Sequence, residues 1–329
     1  MANIFNHIDT LFSIENEGQL AELAIELFNY QYNHTAIYHN YVNHLKIAPA
    51  SIKSPEKIPF LPIRFFKTHR VIKDFAQSEI TFQSSGTTGM AASRHDVADL
   101  ALYRRSFTQG FEHFYGNPSQ FCFLALLPSY LERENSSLVF MMRDLILATK
   151  HLGSGFYLHD YAELNQKLRL NEEKGIPTIL IGVTFAMLDF AAQYPGKLIS
   201  TIVMETGGMK GRREEMTRSE VHQVLQDSFG LEVIHSEYGM TELLSQAYSQ
   251  GKGLFRCPPW MKFCVRETAD PLAVAGFGRG GINIIDLANV NSCSFIATDD
   301  LGIIHLDGSF EITGRYDHAD VRGCNLMVV

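Results

Sequence analysis

Between Gln120 and His235, short apolar runs alternate with stretches of helical spacing. The runs are Gln120–Leu127, Thr178–Gly182, Thr201–Glu205 and Leu231–His235. Between the last two, Met216, Val221, Val224, Leu225 and Phe229 fall at helical spacing within Arg213–Phe229. Strands separated by helices close into a sheet through crossovers, so a mainly parallel α/β sheet with flanking helices is predicted. A further strand is predicted at Glu79–Gln83. After Gly276 the texture changes to short strands with glycine turns, at Ile282–Leu287, Ser294–Thr298, Gly302–His305 and Phe310–Thr313. These predict a small antiparallel β subdomain. The expected organisation is an α/β core over 1–275, with a helical segment over about 1–50, followed by a β-rich subdomain and tail over 276–329. Leu20, Leu23, Ala24, Leu27 and Phe28 mark the first helix. Pro49, Pro55, Pro59 and Pro62 predict an extended connection across the surface.

The 329 residues are 46% hydrophobic, enough to offset the ordering entropy of the chain and exclude low-complexity disorder. A net charge of -8 argues against nucleic acid, whose binders concentrate Lys and Arg. The most apolar stretch, Thr178–Leu188, is about half the length of a bilayer span. The N-terminus has no basic segment followed by an apolar run. Cys122, Cys257, Cys264, Cys293 and Cys324 are odd in number and scattered, which points to a reducing compartment. A cytoplasmic protein with no membrane span is expected.

Open parallel sheets hold ligands beyond the carboxyl ends of their strands. Three polar, glycine-containing loops follow predicted strands: Ser84–Gly89, Thr206–Gly211 and Ser236–Glu242. Ser84, Ser85, Gly86, Thr87, Thr88 and Gly89 bring four hydroxyls and two glycines into six residues. Backbone N–H groups and hydroxyls of such a loop can wrap a polyphosphate, although an ordinary surface turn has the same composition. Gly207 and Gly208 would let backbone lie against a flat ring, or simply end a strand. Tyr238 offers a face for stacking, Thr241 a hydroxyl and Glu242 a carboxylate suited to Mg²⁺ beside phosphate oxygens. Thr241 and Glu242 also suit a helix N-terminus. Asp300, in Thr298–Gly302, can accept both ribose hydroxyls, and Arg315 can neutralise a phosphate. A hairpin turn and an exposed strand would use the same residues.

Other features carry less. Gly276–Gly281 precedes a strand and opens no helix, so it reads as a turn rather than a dinucleotide loop. His34, His39 and His44 lack metal-pair spacing, and Cys257 and Cys264 lack that of a zinc knuckle. His95 is either a site residue or a polar residue opening a helix. Phe121, Phe123 and Phe185 could wall an acyl tunnel or fill a core.

The ordered set Ser-Ser-Gly-Thr-Thr-Gly, Gly-Gly, Tyr-Gly-Met-Thr-Glu, Thr-Asp-Asp-Leu-Gly and Gly-Arg-Tyr-Asp resembles the adenylate-forming superfamily. Within it the chain is most similar to acyl-protein synthetases of the LuxE type, relatives of phenylacetate-CoA ligases, from about Phe60 to the C-terminus. The resemblance implies an adenylate-forming N-terminal-domain fold. It also implies ATP and Mg²⁺ as cofactors and activation of a carboxylic acid, fatty in chemistry, to an acyl-adenylate. Ser84–Gly89 would bind phosphates, Gly207 and Gly208 would flank adenine, and Tyr238 with Gly239 would stack beside it. Thr241 and Glu242 would contact phosphate and metal, Asp300 the ribose, and Arg315 would follow it. Two departures stand out. Met90–Arg94 replaces the usual Pro-Lys continuation, leaving Arg94 as a source of charge. The chain also stops at Val329, so the mobile C-terminal domain with its catalytic lysine is expected to be absent. The resemblance makes Cys324 the acyl acceptor, loaded before transfer to a reductase or carrier protein. A coenzyme A ligase and a non-catalytic nucleotide-binding subunit are the alternatives.

Overall fold

The structure is a computed structural model, which describes residues 8–84, 92–127, 135–207 and 216–316. One sheet of thirteen strands organises the described residues. Its parallel half runs, in spatial order, Gly155–Phe156, Cys122–Leu126, Thr178–Gly182, Thr201–Glu205 and His235–Tyr238. Cys122–Leu126 and Thr178–Gly182 are buried throughout, as a strand covered by helices on both faces must be. The helices Ser137–Ala148, Tyr161–Glu173, Thr184–Gln193 and Arg218–Phe229 are the crossovers.

Tyr238 pairs with Ala247 in an antiparallel turn back, and from there the sheet continues antiparallel. Next come Ala247–Ser249, Phe255–Arg256, Phe310–Arg315, Phe295–Ile304, Gly278–Asp286, Met261–Arg266 and Val274–Ala275. The strand carrying Tyr238 therefore sits where the sheet changes from parallel to antiparallel.

The helix Glu17–His34 starts at Asn16, whose side chain accepts the Gln19 N–H, and buries Leu20, Ala24, Leu27 and Phe28 as the spacing predicts. Its Gln31 amide donates to the Asn289 and Val290 carbonyls and accepts the Ser294 N–H, fastening the helix to the antiparallel half. Phe28 and Tyr38 pack on Phe295.

Several elements differ from expectation. The proline-rich segment buries Ile52, Ile58, Phe60, Leu61 and Ile63, and Leu61–Pro62 pairs with Ile296–Ala297. Apolar side chains between the prolines draw it into the core. The last parallel strand is His235–Tyr238 rather than Leu231–His235, because pairing begins only at Met204–His235 and Val233 is exposed. Its preceding helix begins at Arg218, where Thr217 and Glu220 form a reciprocal capping box. Phe295–Ile304 is one strand running through Thr298–Gly302, so Asp300 lies in no hairpin turn. The strand Gly278–Asp286 takes in most of the glycine run read as a turn. A Cβ on Gly280 would collide with the Arg266 carbonyl, and this close strand approach accounts for a glycine there.

Candidate functional site

The first polar loop leaves the separate hairpin Ile80–Gln83/Arg94–Val97, not the rim of the parallel sheet. Ser84 closes the base of that loop. Its N–H donates to the Ser93 carbonyl (3.0 Å), and its hydroxyl accepts the Ser93 N–H (2.9 Å). Ser85, Gly86, Thr87, Thr88 and Gly89 lie outside the described residues, as do Gly208 and Cys324. Arg94 is exposed.

The second loop does leave the parallel rim. Gly207 has φ +63°, a left-handed conformation open to glycine, and its N–H donates to Glu205 Oε2 at 2.7 Å. Glu205 also receives Arg218 Nε (3.1 Å) and Thr184 Oγ1 (3.2 Å), with His222 Nε2 at 3.6 Å. Burial alone would raise this carboxyl. The bonds from His222 and Ser236, the Arg218 charge and the Gly207 N–H outweigh it and hold Glu205 at about 2. Among the described residues, Glu237, on the next strand, receives one side-chain hydrogen bond, from Thr206 Oγ1 at 2.6 Å. Burial therefore pushes it up to about 7, against the Thr206 bond and with Glu205 adding to the rise. A Cβ on Gly239 would come within 2.5 Å of Glu237 Oε1, so the third loop folds tightly over this acid.

In that third loop, Tyr238 is buried among Phe255, Phe263 and Phe310, each edge-on to it. Its hydroxyl donates to Asp300 Oδ2 at 2.6 Å, and Arg315 Nε holds Asp300 Oδ1 at 2.9 Å. Asp300 and Arg315 are register partners across the last hairpin. Burial and the Asp300 carboxylate raise the Tyr238 phenol well above its usual range, which keeps it a donor. No helix follows Thr241: residues 241–246 form turns before the strand at Ala247, so the N-cap reading fails. Asp286 fixes these turns instead, accepting the Leu244 and Ser245 N–H groups and the Ser245 hydroxyl. Glu242 is buried and reaches Ser93, with Arg315 and Lys67 nearby. Burial dominates and raises its carboxyl.

Tyr238, Glu242, Asp300 and Arg315 thus meet at one place, with Thr241 and Gly239 in the same loop, Ser84 joined through Ser93 and Gly207 on the neighbouring strand end. Sequence reasoning missed Glu205, Glu237, Asp286 and Asn289. The one local signal was a carboxylate closing an apolar strand at Glu205. Phe121 and Phe123 pack on Phe111 of the helix Leu100–Tyr115 and fill the core there, and Phe185 is buried as well. Among the described residues, no group of three or more His, Cys, Asp and Glu is placed to hold a metal, and no helix is long and apolar enough to cross a membrane.

A mixed sheet with polar, glycine-containing loops at its parallel rim and an acid–arginine pair on the adjoining antiparallel strands defines an α/β fold shared with solved structures. The fold is similar to ATP-bound MatB from Rhodopseudomonas palustris, at 17% identity and TM-score 0.54, covering 74% of this chain and 49% of that one. It is also similar to the ATP-bound RpMatB-BxBclM chimera B3, at 16% identity and TM-score 0.52 over the same shares. The chain spans about half the length of these solved structures. It belongs to the acyl-protein synthetase family LuxE, matching it over residues 4–329. A curated relative, the long-chain-fatty-acid–luciferin-component ligase of Aliivibrio fischeri, is 22% identical over 344 residues, covering 96% of this chain and 90% of that protein.

Proposed function

We propose that this chain activates a carboxylic acid with ATP and passes the acyl group through a protein cysteine, Cys324. The meeting of Tyr238, Asp300, Arg315 and Glu242 around one loop carries this reading. The acid's carboxylate attacks the α-phosphorus as the bond to pyrophosphate breaks. A thiol then attacks the acyl carbon, losing its proton as AMP leaves. Asp300 uses one lone pair for Tyr238 and one for Arg315, and a carboxylate has about four such positions. Two remain for the ribose hydroxyls without breaking either bond. Gly207 and Gly208 would flank the adenine beside Tyr238 and Gly239. Ser84, Ser85, Gly86, Thr87, Thr88 and Gly89 would donate to the phosphates, and Thr241 would add its hydroxyl.

A single buried carboxylate fits Mg²⁺ arriving with the nucleotide, since this ion commonly takes one or two carboxylates together with substrate phosphates. Glu242 is that carboxylate, and a cation beside it would relieve the burial that now disfavours its charge. The bound ion would neutralise charge on the phosphate oxygens.

Cys264 and Cys293 are buried, which pushes their thiols up to about 12, and burial raises Cys257 as well. Cys122 is buried too. Cys257 is half-buried, and burial disfavours its thiolate as it does those of Cys264 and Cys293. Cys324, two residues from Arg322, is the remaining cysteine of the sequence. The four described cysteines are unpaired, which fits a reducing, cytoplasmic location. An acyl-accepting reductase or carrier protein is the proposed partner, and a fatty acid the proposed substrate.

The test is ATP–pyrophosphate exchange over a panel of fatty and aromatic acids, followed by labelling with the acid that works. Label should appear as a hydroxylamine-sensitive thioester on the C-terminal peptide. Cys324→Ser should lose it and keep exchange. Acyl-CoA formation without labelled protein would favour coenzyme A as acceptor. No exchange by folded protein with any acid would overturn activation.

A further inference from the structure

We propose that His95 is a positioning residue that locks the backbone of Thr241 and Glu242 to the hairpin strand Arg94–Val97, so that Thr241, Glu242 and the neighbouring Ser84 meet Mg·ATP as one rigid unit. This rests on the phosphate-binding role given above to those residues.

Thr241 and Glu242 lie in a turn, so their carbonyls have no ladder of regular structure to satisfy them. Side chains from two other parts of the molecule do so. His95 Nδ1 lies 2.9 Å from the Thr241 carbonyl, which can only accept, so this nitrogen carries the hydrogen. Asn289 Nδ2 donates to the Glu242 carbonyl at 2.8 Å, which fixes the orientation of its amide and leaves Oδ1 3.2 Å from His95 Nε2. His95 and Asn289, side by side, therefore each hold one of two consecutive carbonyls.

The other end of the lock is the hairpin. Ser93 and His95 are two residues apart in extended chain and so share a face, while Arg94 points to solvent. Ser93 reaches the Glu242 side chain and His95 the backbone beside it. Ser93 also exchanges two hydrogen bonds with Ser84, at the start of the hydroxyl-rich loop. Ser84 and the carboxylate that would hold the metal are thus joined through Ser93, and His95 closes the same link across 146 residues to Thr241. His95 is buried, with its ring edge-on to Phe66 at 5.6 Å, so it has little freedom to let the turn drift. Asn289 is anchored in turn, because Gln31 of the first long helix holds its carbonyl.

The experiment is calorimetric titration of the full chain with Mg·ATP and, separately, with adenosine, alongside melting curves. His95→Leu should weaken Mg·ATP by about tenfold, the scale of one lost hydrogen bond that fixes a binding group. Adenosine, which lacks phosphates, should bind as before. His95→Asn, whose amide nitrogen falls where Nδ1 stood, should restore most of the Mg·ATP affinity. Asn289→Ala supplies a second arm should His95→Leu not fold, and it should show the same selective loss. Unchanged Mg·ATP affinity in a folded variant, or equal loss for adenosine, would overturn the inference. Wild-type protein that binds neither ligand would instead remove the nucleotide-site reading, and the proposal with it.

Discussion

Glu205 and Glu237 sit at the ends of adjacent parallel strands, yet they take opposite protonation behaviour from their neighbours. Arg218, His222 and the Gly207 N–H hold Glu205 at about 2, below its unfolded value. Its contribution to stability is present above pH 4.5 and is lost as pH falls toward 2. Glu237 is raised to about 7, so the folded chain binds more protons than the unfolded chain between pH 4.5 and 7, and stability falls as pH rises through that window. Glu237→Gln should therefore gain on wild type over this range, by on the order of 2–3 kcal/mol, and the difference should level off above pH 7. Melting temperatures across a pH series would read this. A constant offset would show that Glu237 does not titrate there. Phe310 stacks on Phe263 at 3.8 Å beneath Tyr238, and both rings are buried. Phe310→Ala should cost about 3–5 kcal/mol by chemical denaturation.

At the level of elements, Asp286 does for the 241–246 turns what a helix would have done with its own backbone. It satisfies two N–H groups and a hydroxyl of residues 244 and 245, and the Ala288 N–H as well. Asp286→Ala leaves several buried donors without partners, each costing about 1–3 kcal/mol, and denaturant midpoints should fall accordingly. Thr217→Ala, which breaks the capping box of Arg218–Phe229, should cost only about 1 kcal/mol. The contrast explains what the sequence made legible. Periodicity located three of the five parallel-half strands among the described residues, the N-terminal helix and the order of the loops, because those signals are local. The hold of Asp286 on residue 244, of His95 on 241 and of Tyr238 on Asp300 depends on separations of 42, 146 and 62 residues, and no local pattern encodes them. The proline-rich segment misled for a related reason: its prolines announced an irregular path, while its burial depended on a sheet edge assembled from residues far downstream.

Across the whole molecule, both halves share one hydrogen-bonded sheet, and the single tryptophan, Trp260, bridges them through Ser106 and Ser245. Tryptophan fluorescence and far-ultraviolet circular dichroism should then report one coincident unfolding transition, and separated midpoints would show that the halves melt independently. The last hairpin gives this assembly a built-in check on its own correctness. From Ile304–Phe310 to Gly302–Ile312 the paired residue numbers keep one sum, and at Leu301–Gly314 and Asp300–Arg315 the sum is one greater, because Thr313 is the extra residue of a bulge. Were Thr313 paired instead of bulged, the first register would continue and set Arg315 opposite Asp299, whose side chain faces the other way along the strand. A molecule zipped one step out of line would fold its sheet and lose its acid–arginine pair. The Asp300–Arg315 pair is thereby a proofreading signal for strand alignment, and deletion of Thr313 would remove the bulge while leaving Arg315 opposite Asp300.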